Sequence, residues 1–193
     1  MTDGVVFIAY GPKAEQEYSR ALDAFSVAGN YYPTQCIGAD YASTNKQASR
    51  HAKTRLIDWA NYDNFVYLDA DTRPRESLKP LYDILADGWD VVIAIDGNQD
   101  QSVFWHVGGQ EREETLKELG VLPLQLQCGV MAVAKNERTK QLFEAWHNEW
   151  LRYSGEDQAA FIRALYHCPV KVWLLGKPWN GGAAINHNWG AMR

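Results

Sequence analysis

The sequence has few cysteines, no excess of basic residues and no long apolar run, and each shortage excludes something. Cys36, Cys128 and Cys168 are far apart and odd in number, giving neither a disulfide framework nor the close pairs of a zinc site. They read as reduced thiols, the state expected in the cytoplasm. No stretch approaches the apolar length that crosses a bilayer. Met1-Thr2-Asp3-Gly4 leads straight into an apolar strand, without the basic region and cleavage site of a secretory signal. A cytoplasmic chain with no transmembrane segment is therefore expected. A formal net charge of -5 argues against nucleic acid as a partner, because the phosphate backbone is met by clustered Lys and Arg. Phosphate-cradling glycine motifs are missing too, since neither GxGxxG nor GxxxxGK[ST] occurs. An acidic chain without them would need a metal ion to bind an anionic diphosphate.

What is present suits one domain: 193 residues, 46% of them hydrophobic, with eight Trp and ten Tyr. So many aromatic residues serve a core first, and a surface that stacks on cyclic ligands second. Val5 to Tyr10 is an apolar strand, and a glycine turn leads from it into an amphipathic helix over 13–27. That turn, Ala9-Tyr10-Gly11, falls at a sheet edge where a base or ribose could sit. A short strand over 34–37, a loop at Gly38-Ala39-Asp40-Tyr41 and a helix over 44–60 follow. The helix carries Lys46, Arg50, Lys53 and Arg55, a face that reads as solvated except for Lys53, which is placed to reach a phosphate. Further on come a helix over 75–86, a strand over 91–95 ending at Asp96, and an irregular insertion near 98–123 with Trp105 and His106. A long strand over 124–134 is interrupted at Cys128-Gly129, where missing bulk would let backbone approach a ligand. Helices over 137–153 and 158–166, a strand over 170–175 and a loop-like tail complete the chain. Strands alternating with helices predict an α/β fold with a mainly parallel central sheet flanked by helices.

The stretch from Asn64 to Pro74, NFVYLDADTRP, carries the chemistry. Phe65 to Leu68 reads as a buried strand with Asp69 and Asp71 at its end. Residues two apart in a strand point the same way, so both carboxylates can converge on one object beyond it. Taken alone, Asp-x-Asp suits a turn or a helix cap better than a metal site. The rest of the chain reverses that preference.

Five pieces in order resemble the GT-A glycosyltransferases: VVFIAYG their first nucleotide-binding strand, FVYLDADT their metal strand, QCGVMAV their sugar-facing strand, and GEDQAAFIRAL the start of their Asp-Gln helix. The closing KPWN…NHNWG resembles the tail that supplies a further metal ligand in family-eight-like members. The resemblance implies a single GT-A domain over 1–193 that moves a sugar from a nucleoside-diphosphate sugar, UDP foremost, to a hydroxyl acceptor, a saccharide above all. It implies Mn²⁺ or Mg²⁺ held by Asp69, Asp71 and His187, with Asp157 and Gln158 at the reacting face of the sugar. Donor contacts would come from Ala9, Tyr10, Gly11, Lys53, Asp69, Asp96, Gly129, Lys177 and Trp179. Family eight points to retention of configuration. Acceptor choice would lie in the insertion before Leu124. The family's His pattern before Gly-Lys-Pro-Trp is absent here, which leaves the ligand set open.

Two other readings compete. LDADT is similar to the DxDxT of haloacid-dehalogenase-like phosphohydrolases, but Arg73 stands where their Thr would be and the motif falls on a third strand. The other is a module that binds a nucleotide sugar without transferring it.

Overall fold

The computed structural model describes residues 1–38, 46–97 and 107–191. A six-stranded sheet in the order β2-β1-β3-β6-β5-β7 forms its centre. The strands are β1 (Asp3–Ile8), β2 (Thr34–Ile37), β3 (Asn64–Asp69), β5 (Val91–Ile95), β6 (Leu126–Ala134) and β7 (Val172–Leu175). β1 pairs in parallel with β2 and β3, and β5 with β7. β6 runs antiparallel between β3 and β5. The mainly parallel sheet is therefore present, with one strand reversed.

Side chains alternate across this sheet and bury both faces. Val6, Ile8, Phe65, Tyr67, Ile93 and Met131 face a core closed by α2 (Lys46–Thr54), α3 (Leu56–Trp59), α6 (Glu137–Tyr153) and α7 (Asp157–His167). Val5, Phe7, Val66, Leu68, Val92 and Val130 face the other, closed by α1 (Pro12–Val27) and α4 (Lys79–Ala86). Within the first core Trp146 is fully buried, and its indole N–H is satisfied by the Asp157 carbonyl at 2.8 Å. α5 (Gly109–Leu119) ends at left-handed Gly120, a conformation glycine adopts without strain.

Local chemistry corrects several boundaries. The helix expected over 44–60 breaks at Arg55 into α2 and α3, and Thr44 lies outside the described residues, as do Ala39, Asp40, Tyr41, Trp105 and His106. The helix expected from Arg75 starts only at Lys79, because Thr72–Pro74 forms a strand, β4, and the Arg75 amide extends that pairing by donating to the Ala184 carbonyl at 2.8 Å. Its partner is β8 (Ile185–His187), within a tail that the sequence had presented as loop. Leu124, expected in β6, is 54% exposed and precedes it.

Asp90, at 1% exposure, ties three elements together at the far edge of the sheet. Its carboxylate accepts from Asn136 Nδ2 (2.8 Å), Arg138 Nε (2.8 Å) and the Lys171 amide (2.9 Å). Burial works against the charged form, but these donors outweigh it and hold Asp90 below the usual carboxylate range. A carboxylate whose folded pKa lies below its unfolded one stabilises the fold above the unfolded value, about pH 4, and loses that contribution as pH falls through the folded value. Wild type should thus exceed Asp90→Asn in urea midpoint at neutral pH, with the gap closing in strong acid. A gap independent of pH would contradict this.

Candidate functional site

A cleft of about 680 Å³ opens at the carboxyl ends of β1, β3 and β5, the edge where open α/β sheets bind ligands. Because β6 is reversed, its first half lies at this same edge. Ala94 pairs with Gln127 while Ile93 pairs with Met131, so Cys128, Gly129 and Val130 bulge out of the β5 ladder. The bulge faces Asp69 and His187. A Cβ at Gly129 would stand 2.6 Å from His187 Cε1 and 2.7 Å from Asp69 Oδ2, so only glycine leaves room for both.

β4 and β8 deliver the remaining groups. Thr72 pairs with His187, and the Asn188 amide donates to the Asp71 carbonyl at 2.9 Å, which seats the His187 imidazole over the Asp-x-Asp turn. His187 Nε2 lies 3.0 Å from Asp71 Oδ1 and 3.8 Å from Asp69 Oδ2. Asp71 and His187 are only 4% and 6% exposed. One ligand atom from each of Asp69, Asp71 and His187 falls within 4.8 Å of the others. Two carboxylates and an imidazole brought so close need a proton or a cation among them, and this donor set fits a divalent metal ion.

Lys53, from α2, supplies part of the opposing charge. Its Nζ is 3.0 Å from Asp69 Oδ1 and 3.1 Å from Asp157 Oδ2. Burial disfavours the ammonium, yet Asp157 and Asp69 hold it charged, well above the usual lysine range. Burial likewise opposes Asp69 ionisation, and Lys53, His187 and the Tyr67 hydroxyl overcome it, so Asp69 titrates below the usual range. Asp157 is different. Its Oδ2 is buried and lies in an ion pair with Lys53, and it accepts no hydrogen bond. Beside it Glu156 binds Arg50.

Along the cleft, Gln127 Nε2 approaches Asp96 Oδ2 at 3.3 Å, and Gln158 Nε2 donates to Gln127 Oε1 at 2.9 Å and to the Leu126 carbonyl at 3.0 Å. The Lys177 side chain lies against Gly97. Trp189, 58% exposed, stacks on His187 with ring centroids 5.0 Å apart. Gly181, at φ 92°, has no Cβ to collide with that indole.

No protein-family model matches the chain, and no curated protein is similar to it in sequence. Solved glycosyltransferases share its fold. The apo structure of the bifunctional glycosyltransferase WbbM aligns with a TM-score of 0.67 at 16% identity, covering 93% of this chain and 39% of its own. A glycosyltransferase involved in glycosylating the major capsid of PBCV-1 aligns at 0.64 and 11% identity, covering 100% of this chain and 96% of its own. The galactosyltransferase LgtC, in complex with donor and acceptor sugar analogues, aligns at 0.58 and 18% identity, covering 100% and 82%. The fold is GT-A. At these identities the likeness is one of fold.

Within this GT-A frame, Tyr10, Lys53, Asp69, Asp71, Asp96, Asp157, Gln158, Lys177 and His187 all line one cleft. Ala9, Gly11, Gly129 and Trp179 are not among its lining residues. Ala9 is fully buried against Ala14 and Ala70, and Gly11 only shapes the turn into α1, at φ 88°. Trp179, expected as a donor contact, is half-buried and packs against the core cluster that contains Leu175 and Ile185. Gly129 acts from behind, by leaving space. The sequence reading missed Arg50 and Glu156, because a basic helix face opposite an acidic helix start is ordinarily solvated. Gln127, Asn180 and Trp189 gave no signal beyond their nearness to recognised motifs.

Gly129→Ala should force His187 or Asp69 out of place and cost about 1–3 kcal/mol of stability. Chemical denaturation checks this, and an unchanged midpoint would contradict the crowding seen here.

Proposed function

We propose that the chain transfers a sugar from a nucleoside-diphosphate sugar to a hydroxyl of a saccharide acceptor, with a divalent ion held by Asp69, Asp71 and His187. One observation carries this reading. Three metal-fitting side chains and a buried Lys53–Asp157 pair open into the same cleft of a GT-A fold. The imidazole in the donor set favours Mn²⁺ over Mg²⁺, which prefers oxygen alone. A UDP-linked donor and a retaining course are supported by the family-eight resemblance of the sequence.

Each residue then has a task. Ile8, Tyr10 and Ala14, at the β1 end of the cleft, form a wall for the base and ribose. When bound, the cation neutralises charge building on the departing diphosphate. Lys177, against Gly97, adds a mobile ammonium for the same oxygens. Asp96 and Gln127, linked at 3.3 Å, present an acceptor and an amide to sugar hydroxyls. Asp157, in the cleft wall, offers negative charge to the oxocarbenium-like centre, and preorganised charge of this kind needs no rearrangement as the bond breaks. Lys53 keeps that carboxylate oriented. Gln158, fixed through its amide nitrogen, lines the same face.

With Mn²⁺ and a UDP-sugar, purified protein should release UDP slowly without acceptor and faster with a saccharide. A chelator should stop the reaction and added Mn²⁺ restore it. Asp71→Ala should abolish release, and Asp157→Asn should lower transfer about 100- to 1,000-fold. NMR of the first-formed product should show the anomeric configuration of the donor. Full activity in Asp71→Ala would overturn the metal assignment.

A further inference from the structure

Asn180 follows the short helical turn Lys177–Trp179 and is 3% exposed. Its carboxamide meets two groups. Nδ2 lies 3.4 Å from the Gln127 carbonyl oxygen, and Oδ1 lies 2.6 Å from His187 Nδ1. Reversing the amide would set its oxygen against the Gln127 carbonyl, two acceptors with no proton between them. The nitrogen therefore faces Gln127 and the oxygen faces the imidazole. A carboxamide oxygen can only accept, so His187 donates from Nδ1.

The other ring nitrogen is the one that faces the carboxylates, 3.0 Å from Asp71 and 3.8 Å from Asp69. With the hydrogen bond to Asn180 holding a proton at Nδ1, Nε2 is the nitrogen whose lone pair can face a cation. The opposite arrangement, with Nδ1 bare and Nε2–H donating to Asp71, would tie the imidazole to the carboxylate and take both out of coordination. The chain between the two residues is held short. The Gly181 and Gly182 amides both donate to the Ile185 carbonyl, at 2.9 and 3.1 Å, turning the backbone from Asn180 back into β8.

We infer that Asn180 is a positioning residue for the cation site: its carboxamide keeps a proton of His187 at Nδ1 and so leaves Nε2 for the metal. This rests on the metal reading of Asp69, Asp71 and His187, and adds a residue that acts through His187.

Mn²⁺ titration followed by electron paramagnetic resonance tests it, using wild type, His187→Ala, Asn180→Leu and Asn180→Asp. Leucine keeps the size of asparagine without its oxygen, whereas aspartate keeps an acceptor. Asn180→Leu should bind Mn²⁺ about 10- to 100-fold more weakly, and Asn180→Asp should recover wild-type affinity or better. If His187→Ala loses affinity while Asn180→Leu does not, the metal site stands and the inference falls. If wild type does not bind Mn²⁺, or His187→Ala binds it as wild type does, the metal reading falls and takes the inference with it. A second measurement does not depend on the Asn180 variants folding. Long-range ¹⁵N–¹H spectra of metal-free wild type, with His187 assigned by its loss in His187→Ala, should show a proton on Nδ1. A neutral Nε2–H tautomer would overturn the inference.

Discussion

The candidate site depends on bringing Asp69, Asp71 and His187 within 4.8 Å of one another. Like-charged carboxylates repel and a buried imidazole beside them must be satisfied, so the fold has to hold the three together against their own electrostatics. Rigid elements do this. Asp69 ends a central strand, Asp71 stands before β4, and β8 pairs with β4 to set His187 in register. The bulge in β6 then provides Gly129, the one neighbour thin enough to fit behind them.

Lys53 balances the other side of the cleft. By pairing with both Asp69 and Asp157 it joins the Asp69–Asp71–His187 cluster to the start of α7 through one ammonium. Breaking such a buried set by removing a single partner costs more than the pair contributes, because a charge is left uncompensated. The gathered carboxylates do not stand alone, since Lys53, Arg50 and Lys177 line the same cleft.

The sequence exposed the architecture well, for a physical reason. Apolar runs such as Val5–Ile8 and Phe65–Leu68 are buried on both faces, and their period is plain. Asp69 and Asp71 stood out as a pair at a strand end, but their role and that of Asp157 came from the order of motifs along the chain, since an acid at a turn or helix start is ordinarily a cap. What stayed hidden depends on contacts distant in sequence. β8 exists only because β4 pairs with it more than a hundred residues away, and the reversal of β6 leaves no mark in its composition. Trp179, read as a ligand contact beside Lys177, packs half-buried against a core cluster drawn from several strands and helices. Asn180 and Gln127 act through hydrogen bonds to specific partners, which no periodicity encodes.

On the proposed function, one cleft binds a nucleotide sugar through a metal ion. Thermal unfolding against a panel of nucleotide sugars, in Mn²⁺ and in EDTA, tests it most directly. A ligand that binds only the folded state adds about 2.7 kcal/mol at a hundred times its Kd. The account predicts a raised melting temperature for one nucleotide sugar, UDP-linked, in Mn²⁺ and none in EDTA. Equal shifts in both conditions, or no shift from any donor at saturating concentration, would contradict it.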